Sequence, residues 1–398
     1  MSNAFNNAAK LHRAYSLTDS RFGYTVGSSN NQTAIQLAID AALNDGRAVY
    51  APGGMTHWAE QLTLGNIRVF GDDAENSLIK QVGGTNDNFI VVPYTTVQNP
   101  VLEDLTIDGN RANNASAGHG VYLPDHIESD ASVTYGFSVV LRNAYVQNVR
   151  EDCLHVGTNR NMGHVENTEL KRGGRCMYVK AASDWRSFHG RYAFPLTSHA
   201  IEIESGADNV FMGGAAYGAT AAACVRIKTQ SVSPSKLIGM TINYNDREAL
   251  YISGPSGVAR GIAHVISGCW FADNSLLTDN TYAHIKLEDI ANVCMTGNVF
   301  RWLGTGNRPS YLVEFAGVTG DQEWTGNSWN TVTVPYGTGI TNTAFRLKTK
   351  VEWLDINGPI NFNLTYFPEH ADDTAAAAGG VQVGRPYTTG SFVKVRKV

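Results

Sequence analysis

Six short segments of this chain carry acids, bases and rings at nearly constant spacing. They begin at Asp152, Arg175, His199, Ala223, Glu248 and Ala283, so the intervals are 23, 24, 24, 25 and 35 residues. In the first five, positions two to five read small, apolar, polar, apolar, as in Asp152-Cys153-Leu154-His155-Val156. That is period-two alternation, which turns the third and fifth residues inward and the fourth outward. If the segments are strands of successive coils, ~4.8 Å apart, the outward column reads His155, Tyr178, Glu202, Arg226, Tyr251 and Lys286. Glu204 and Lys228 lie two positions on. His119, Asp152, Arg175, His199, Ala223 and Glu248 lead into the strands.

These residue types support glycosidic chemistry. A hydrolase needs two carboxyls beside the scissile bond, and a gap of ~6.5–9.5 Å implies inversion. The catalytic candidates are Asp152, Glu202 and Glu204. Glu202 and Glu204 sit roughly 6.5–7 Å apart along one strand, and Asp152 and Glu202 roughly 9–10 Å apart over two coils. Both pairs lean towards inversion. Arg226 or Lys228 would keep one carboxylate ionised as the base. The acid needs a raised pKa, and Asp184, beside Trp185 in a loop, is the candidate. Arg175, Tyr178, His199, Arg226, Lys228 and Tyr251 form the expected substrate-binding set, rings for stacking and cations for acid groups.

The same patch supports β-elimination on a uronate polymer. Arg226 or Lys228 would neutralise the carboxylate, and Tyr178 or His199 would take the C5 proton. A patch without a second acid favours this alternative. A third alternative is a carbohydrate-binding spike without catalysis. Glu202 and Arg226 also read as a plain surface ion pair.

Something must hold these residues in register. A glycine ladder runs between the segments, at Gly190, Gly213, Gly239, Gly268, Gly297 and Gly326, with intervals of 23, 26, 29, 29 and 29 residues. Two ladders sharing a period mean one repeating unit. A propeller blade needs ~40 residues or more, which is too long. The expectation is an all-β, right-handed single-stranded parallel β-helix. Thr33–Asn44 shows a helical apolar face, at Ile35, Ala38, Ile39, Ala42 and Leu43, suited to covering the open end of a solenoid. The divisions are an N-terminal segment over 1–20, a β-helix catalytic domain over 21–345, and an oligomerisation or tail segment over 346–398.

The 398 residues are 43% hydrophobic and 17% charged, with net charge −5. That suffices for a large core and excludes a basic nucleic-acid binder. No run resembles a ~20-residue membrane span, and the first ten residues lack the apolar middle of a secretory signal.

An Ala- and Ile-rich helix precedes the run Gly46-Arg47-Ala48-Val49-Tyr50-Ala51-Pro52-Gly53-Gly54, then IRVFGDDAENSLIK from Ile67, then LEDLTIDGNRANN from Leu102. This series resembles the pectate-lyase superfamily of β-helix proteins, to which phage tailspike depolymerases belong. The resemblance covers roughly residues 20–345. It implies an exopolysaccharide or capsule depolymerase, a homotrimer, and a place in a virion tail or outside the cell. A bacterial surface polysaccharide would be the partner. Part of the patch is similar to polygalacturonase-type hydrolases, which carry Asp, Asp-Asp, Gly-His-Gly and Arg-Ile-Lys on successive coils. This chain has Asp152, Ser198-His199-Ala200 and Arg226-Ile227-Lys228, but Gly174-Arg175 where the Asp-Asp pair belongs. That family's general acid is therefore missing from its place. Glu151-Asp152-Cys153 is an alternative equivalent, with one coil inserted.

No cofactor and no metal is assigned. Asp108–Asn114 offers oxygen ligands suited to Ca²⁺, but such turns are routine in this architecture. Cys153, Cys176 and Cys224 share a column that parity places outward unless the chain bends. They read as structural.

Overall fold

The structure is a computed structural model. It describes residues 14–93, 99–126, 138–228, 234–256, 260–261, 264–278, 281–303, 307, 309, 311–316, 323–329, 334–336, 373–381, 386–389 and 392–395. The expectations for residues 1–13, and for most of the segment from 346 onward, lie outside the described residues.

Short strands wind into three parallel sheets of 12, 11 and 11 strands, and successive strands of one sheet come from successive coils. This is the parallel β-helix that the two ladders require. The coils stack because each exposes the backbone groups of its edge to the next, and one face of each strand is apolar. On the third sheet, Leu154, Met177, Ile201, Val225, Leu250, Ile285 and Val313 are register partners in turn, and all are buried. Each contributes ~1.5–3 kcal/mol of burial relative to an exposed side chain.

The corners explain the glycine ladder. Between the first and second sheets the same corner residue recurs as Asp104, Asn143, Asn167, His189, Gly213, Gly239, Gly268 and Gly297. Each has positive φ, and each donates its N–H to the carbonyl of a residue in the following coil, as Asn167 does to Phe188 and Gly239 to Ser267. Asn, Asp and Gly tolerate this conformation. The ladder therefore begins several coils before Gly190, in residues that a search for glycine passes over. Gly190 itself lies one residue beyond the true corner residue, His189.

The helix Gln32–Asn44 buries Ala34, Ile35, Ala38, Ile39 and Ala42 against the first coil and covers that end of the core. The cysteine column resolves by a bend: Cys153, Cys176 and Cys224 are fully buried, and the thiols of Cys153 and Cys176 contact the carbonyls of Lys171 and Ala193, both at 3.4 Å. The chain divides into two compact units, Met1–Lys348 and Thr349–Val398. The described part of the second contains the short helix Asp373–Ala378 and the antiparallel pair Pro386–Thr389 and Phe392–Val395. Among the described residues no helix is long and apolar enough to cross a membrane.

Candidate functional site

The outer face of the third sheet carries the polar column in the expected register. Tyr122, His155, Tyr178, Glu202, Arg226, Tyr251, Lys286 and Glu314 are successive partners. The first and last lengthen the column beyond the sequence reading.

Asp152 is almost fully buried and is held from several sides. Arg175 Nε and Nη2 donate to its two oxygens at 2.6 and 3.0 Å. His155 Nδ1 lies 2.8 Å from Oδ2, and His119 Nδ1 lies 3.2 Å from it. Burial would push this carboxyl up, but hydrogen bonds from His119, His155 and Arg175 outweigh burial and hold it well below the usual carboxylate range. His119, Tyr122, His155 and Tyr178 form a run of adjoining rings with centroids 4.3–5.1 Å apart.

Glu202 sits next, also buried. Arg175 Nη1 donates to it at 2.9 Å, and Arg226 and Lys228 lie at 3.6 and 3.8 Å. Glu204 accepts from Tyr178 Oη and from Lys228 Nζ, the latter at 3.1 Å. These bonds hold its carboxyl below the ordinary range. Burial and the bond to Glu204 push the Tyr178 phenol up, and its ring is covered by Arg175 at 3.7 Å. Tyr178 is thus a buried anchor for Glu204, and the sugar-stacking face expected of it is occupied. The Tyr251 ring likewise lies between Arg226 and Lys286. Burial and a bond to Glu288 push its phenol up to about 12.

Two groups differ from this paired set. His199 is buried, and its Nδ1 contacts the Ala223 carbonyl at 2.5 Å. Burial lowers its pKa, so the ring is neutral at neutral pH. Nδ1 then carries the proton it donates, and Nε2 keeps a free lone pair. Arg226 is the less committed cation: its Nε is buried without a hydrogen bond, and its ion pair is long.

Asp184 is a correction to the expected acid. Alternation puts Trp185 into the core at 1% exposure, where its Nε1 donates to the Arg160 carbonyl. Asp184 stays half-exposed and pairs with Arg186 at 3.3 Å. It stands at the entry to the first-sheet strand Arg186–Phe188, not on the polar face.

Among the described residues, His119, Asp152 and His155 bring three potential metal-ligand atoms within 4.8 Å of one another. Arg175, bonded to both Asp152 oxygens, already supplies positive charge there, so these residues do not fit a resident cation. The Asp108–Asn114 turn uses its oxygens internally: Asp108 accepts from Asn110, Gln147 and Asn148. Sequence reasoning placed His119, His155 and Glu248 in rows without singling them out; only burial and pairing separate them from neighbours.

No family model matches the chain, and no curated protein matches it. Among solved structures, the A-module of mannuronan C-5 epimerase AlgE6 from Azotobacter vinelandii superposes on 83% of this chain and 98% of its own, at 18% identity and TM-score 0.62. Tailspike protein 2 of an Escherichia coli O157:H7 bacteriophage matches 78% of this chain at 14% identity and TM-score 0.58; the match spans 42% of that tailspike. Dettilon tailspike protein matches 85% of this chain and 66% of its own, at 13% identity and TM-score 0.54. At these identities the likeness is one of fold.

Proposed function

We propose that the outer face of the third sheet binds an acidic, uronate-containing polysaccharide and cleaves it by β-elimination. The carrying observation is the contrast on that face. Asp152, Glu202 and Glu204, the three carboxylates that hydrolysis would use, are all tied to cations, while His199 is a neutral imidazole with a fixed tautomer.

Arg226 pairs with the uronate carboxylate, with Lys228 beside it. Neutralising that charge makes the C5 proton removable. His199 Nε2 takes the proton. Arg175 holds Asp152 and Glu202 in place and keeps the cluster compact. The raised Tyr178 phenol, bonded to Glu204, supports His199 over Tyr178 as the base.

Hydrolysis, the leading expectation from sequence, needs a carboxyl that is protonated at working pH. Asp152 and Glu204, both held below the ordinary carboxylate range, do not support that role. The fold shared with an epimerase module and two tailspikes supports polysaccharide as the substrate class. It also supports the wider reading of a homotrimeric spike on a virion tail.

The test follows ultraviolet absorbance of the unsaturated product alongside a reducing-sugar assay, on capsule and exopolysaccharide preparations. Both signals rising together support elimination. Reducing ends without absorbance would return the assignment to hydrolysis. Neither signal on a polymer the protein binds would leave a binding spike.

A further inference from the structure

We infer that Glu248 is the proton donor to the leaving glycosidic oxygen, acting across Ala223 from His199. This rests on the polysaccharide-cleaving reading above and completes it, because that reading lacks an acid.

The placement comes from register. Ile201, Val225 and Leu250 are partners on successive coils. His199, Ala223 and Glu248 each lie two residues earlier, so they form one row at the entrance to the sheet. Both outer members are anchored to the middle coil. His199 Nδ1 contacts the Ala223 carbonyl at 2.5 Å, and the Cys224 N–H donates to the Glu248 carbonyl at 2.9 Å. The two Cα positions are therefore two coil spacings apart, roughly 9–10 Å. Between them Ala223 contributes only a single methyl group. The neighbouring corner repeats the pattern: Phe194, Gly218 and Tyr244 lie on the same three coils, and the two rings, each about half exposed, bracket the glycine.

Glu248 differs from the other acids on this face. No side chain bonds to its carboxyl among the described residues, whereas Asp152, Glu202 and Glu204 are each held by an arginine or lysine. It is partly buried on the outer side, where Lys286 and Glu314 of the outward column act on it. Burial raises its pKa above the ordinary glutamate value; a hydrogen bond from its own backbone N–H and the Lys286 charge oppose the rise, and Glu314 adds to it. A neutral imidazole and a carboxyl biased towards protonation thus flank one coil, the pairing that acid–base chemistry needs.

His199 Nε2 accepts the C5 proton. The C5–H electron pair forms the C4–C5 double bond as the C4–O bond breaks. The departing oxygen takes the Glu248 proton, leaving glutamate and imidazolium, and solvent restores both.

The experiment compares the wild-type chain with E248Q, E248D and H199A on polygalacturonate, alginate and hyaluronan. Circular dichroism and thermal unfolding establish that each variant is folded. The expected result is a ~10²–10⁴-fold fall in kcat for E248Q at little-changed KM, loss of the alkaline limb of the pH profile, and partial recovery in E248D. Folded E248Q with wild-type kcat and an intact alkaline limb overturns the inference, while an inactive H199A beside it leaves the elimination reading standing. Reducing ends without absorbance, abolished by E248Q, would overturn elimination but retain Glu248 as the donor. A wild-type chain that cleaves none of the three polymers overturns both.

Discussion

Arg175 grips both carboxylate oxygens of Asp152, its register partner one coil earlier, at 2.6 and 3.0 Å. The pair is largely buried and central to the polar face, since the same guanidinium reaches Glu202. Its role is to fix geometry.

Removing Arg175 leaves a buried carboxylate without its main counter-charge. R175M should destabilise the fold by ~3–5 kcal/mol, measured by urea unfolding at neutral pH, and D152N/R175M should recover part of the loss. Asp152 has a folded pKa below its unfolded value. Its contribution is therefore full above ~3.9 and disappears as pH falls through the folded value. Acid unfolding of D152N should show a shallower loss in that window.

His199 and Arg226 should separate kinetically. H199A should lower kcat by ~10²–10⁴-fold with binding retained, whereas R226A should chiefly raise KM for acidic polymers. Because burial lowers the His199 pKa, the acid limb of kcat/KM should lie below ~6.5. An acid limb above that value would contradict His199 as the base.

Two core imidazoles predict acid sensitivity independent of the site. Burial lowers His264 to about 4 and His284 to about 3. Below ~6.5 the unfolded chain binds these protons and the folded chain does not. Stability should therefore fall with decreasing pH, by ~1.4 kcal/mol per unit for each residue, down to those folded values. H264Q and H284Q should each flatten the slope in chemical denaturation between pH ~6 and ~4.5.

Tyr244 occupies a left-handed backbone position, φ 53°, in a corner row where its partners include Gly218 and Asp273. A side chain there costs ~1–2 kcal/mol, and the ring is about half exposed. Tyr244→Gly should raise the unfolding midpoint. It should also weaken polymer binding if the ring borders the substrate. Unchanged stability would show that the ring offsets its backbone strain through packing.

The outward column from His155 to Lys286 was legible because a parallel solenoid converts a fixed interval into neighbours at ~4.8 Å. Alternation inside each segment then assigned the face. Asp184 does not share the burial of Trp185, because the chain turns at Asp184, whose φ is 60°, and only Trp185 enters the core. The early corner residues Asp104, Asn143 and Asn167 were missed because the recurring property is a backbone angle, which several residue types can satisfy.

The sequence alone determined the coil, the register and the composition of the polar face, since all three depend on periodic alternation and turn-forming residues. Tertiary structure alone decided protonation and pairing. Whether a carboxylate is a base, an acid or a strut depends on burial and on the cations within ~4 Å. Those distances are set by side chains from coils more than twenty residues apart, as Asp152, Arg175 and Glu202 are. The same dependence makes Asp152 a strut and leaves His199 neutral.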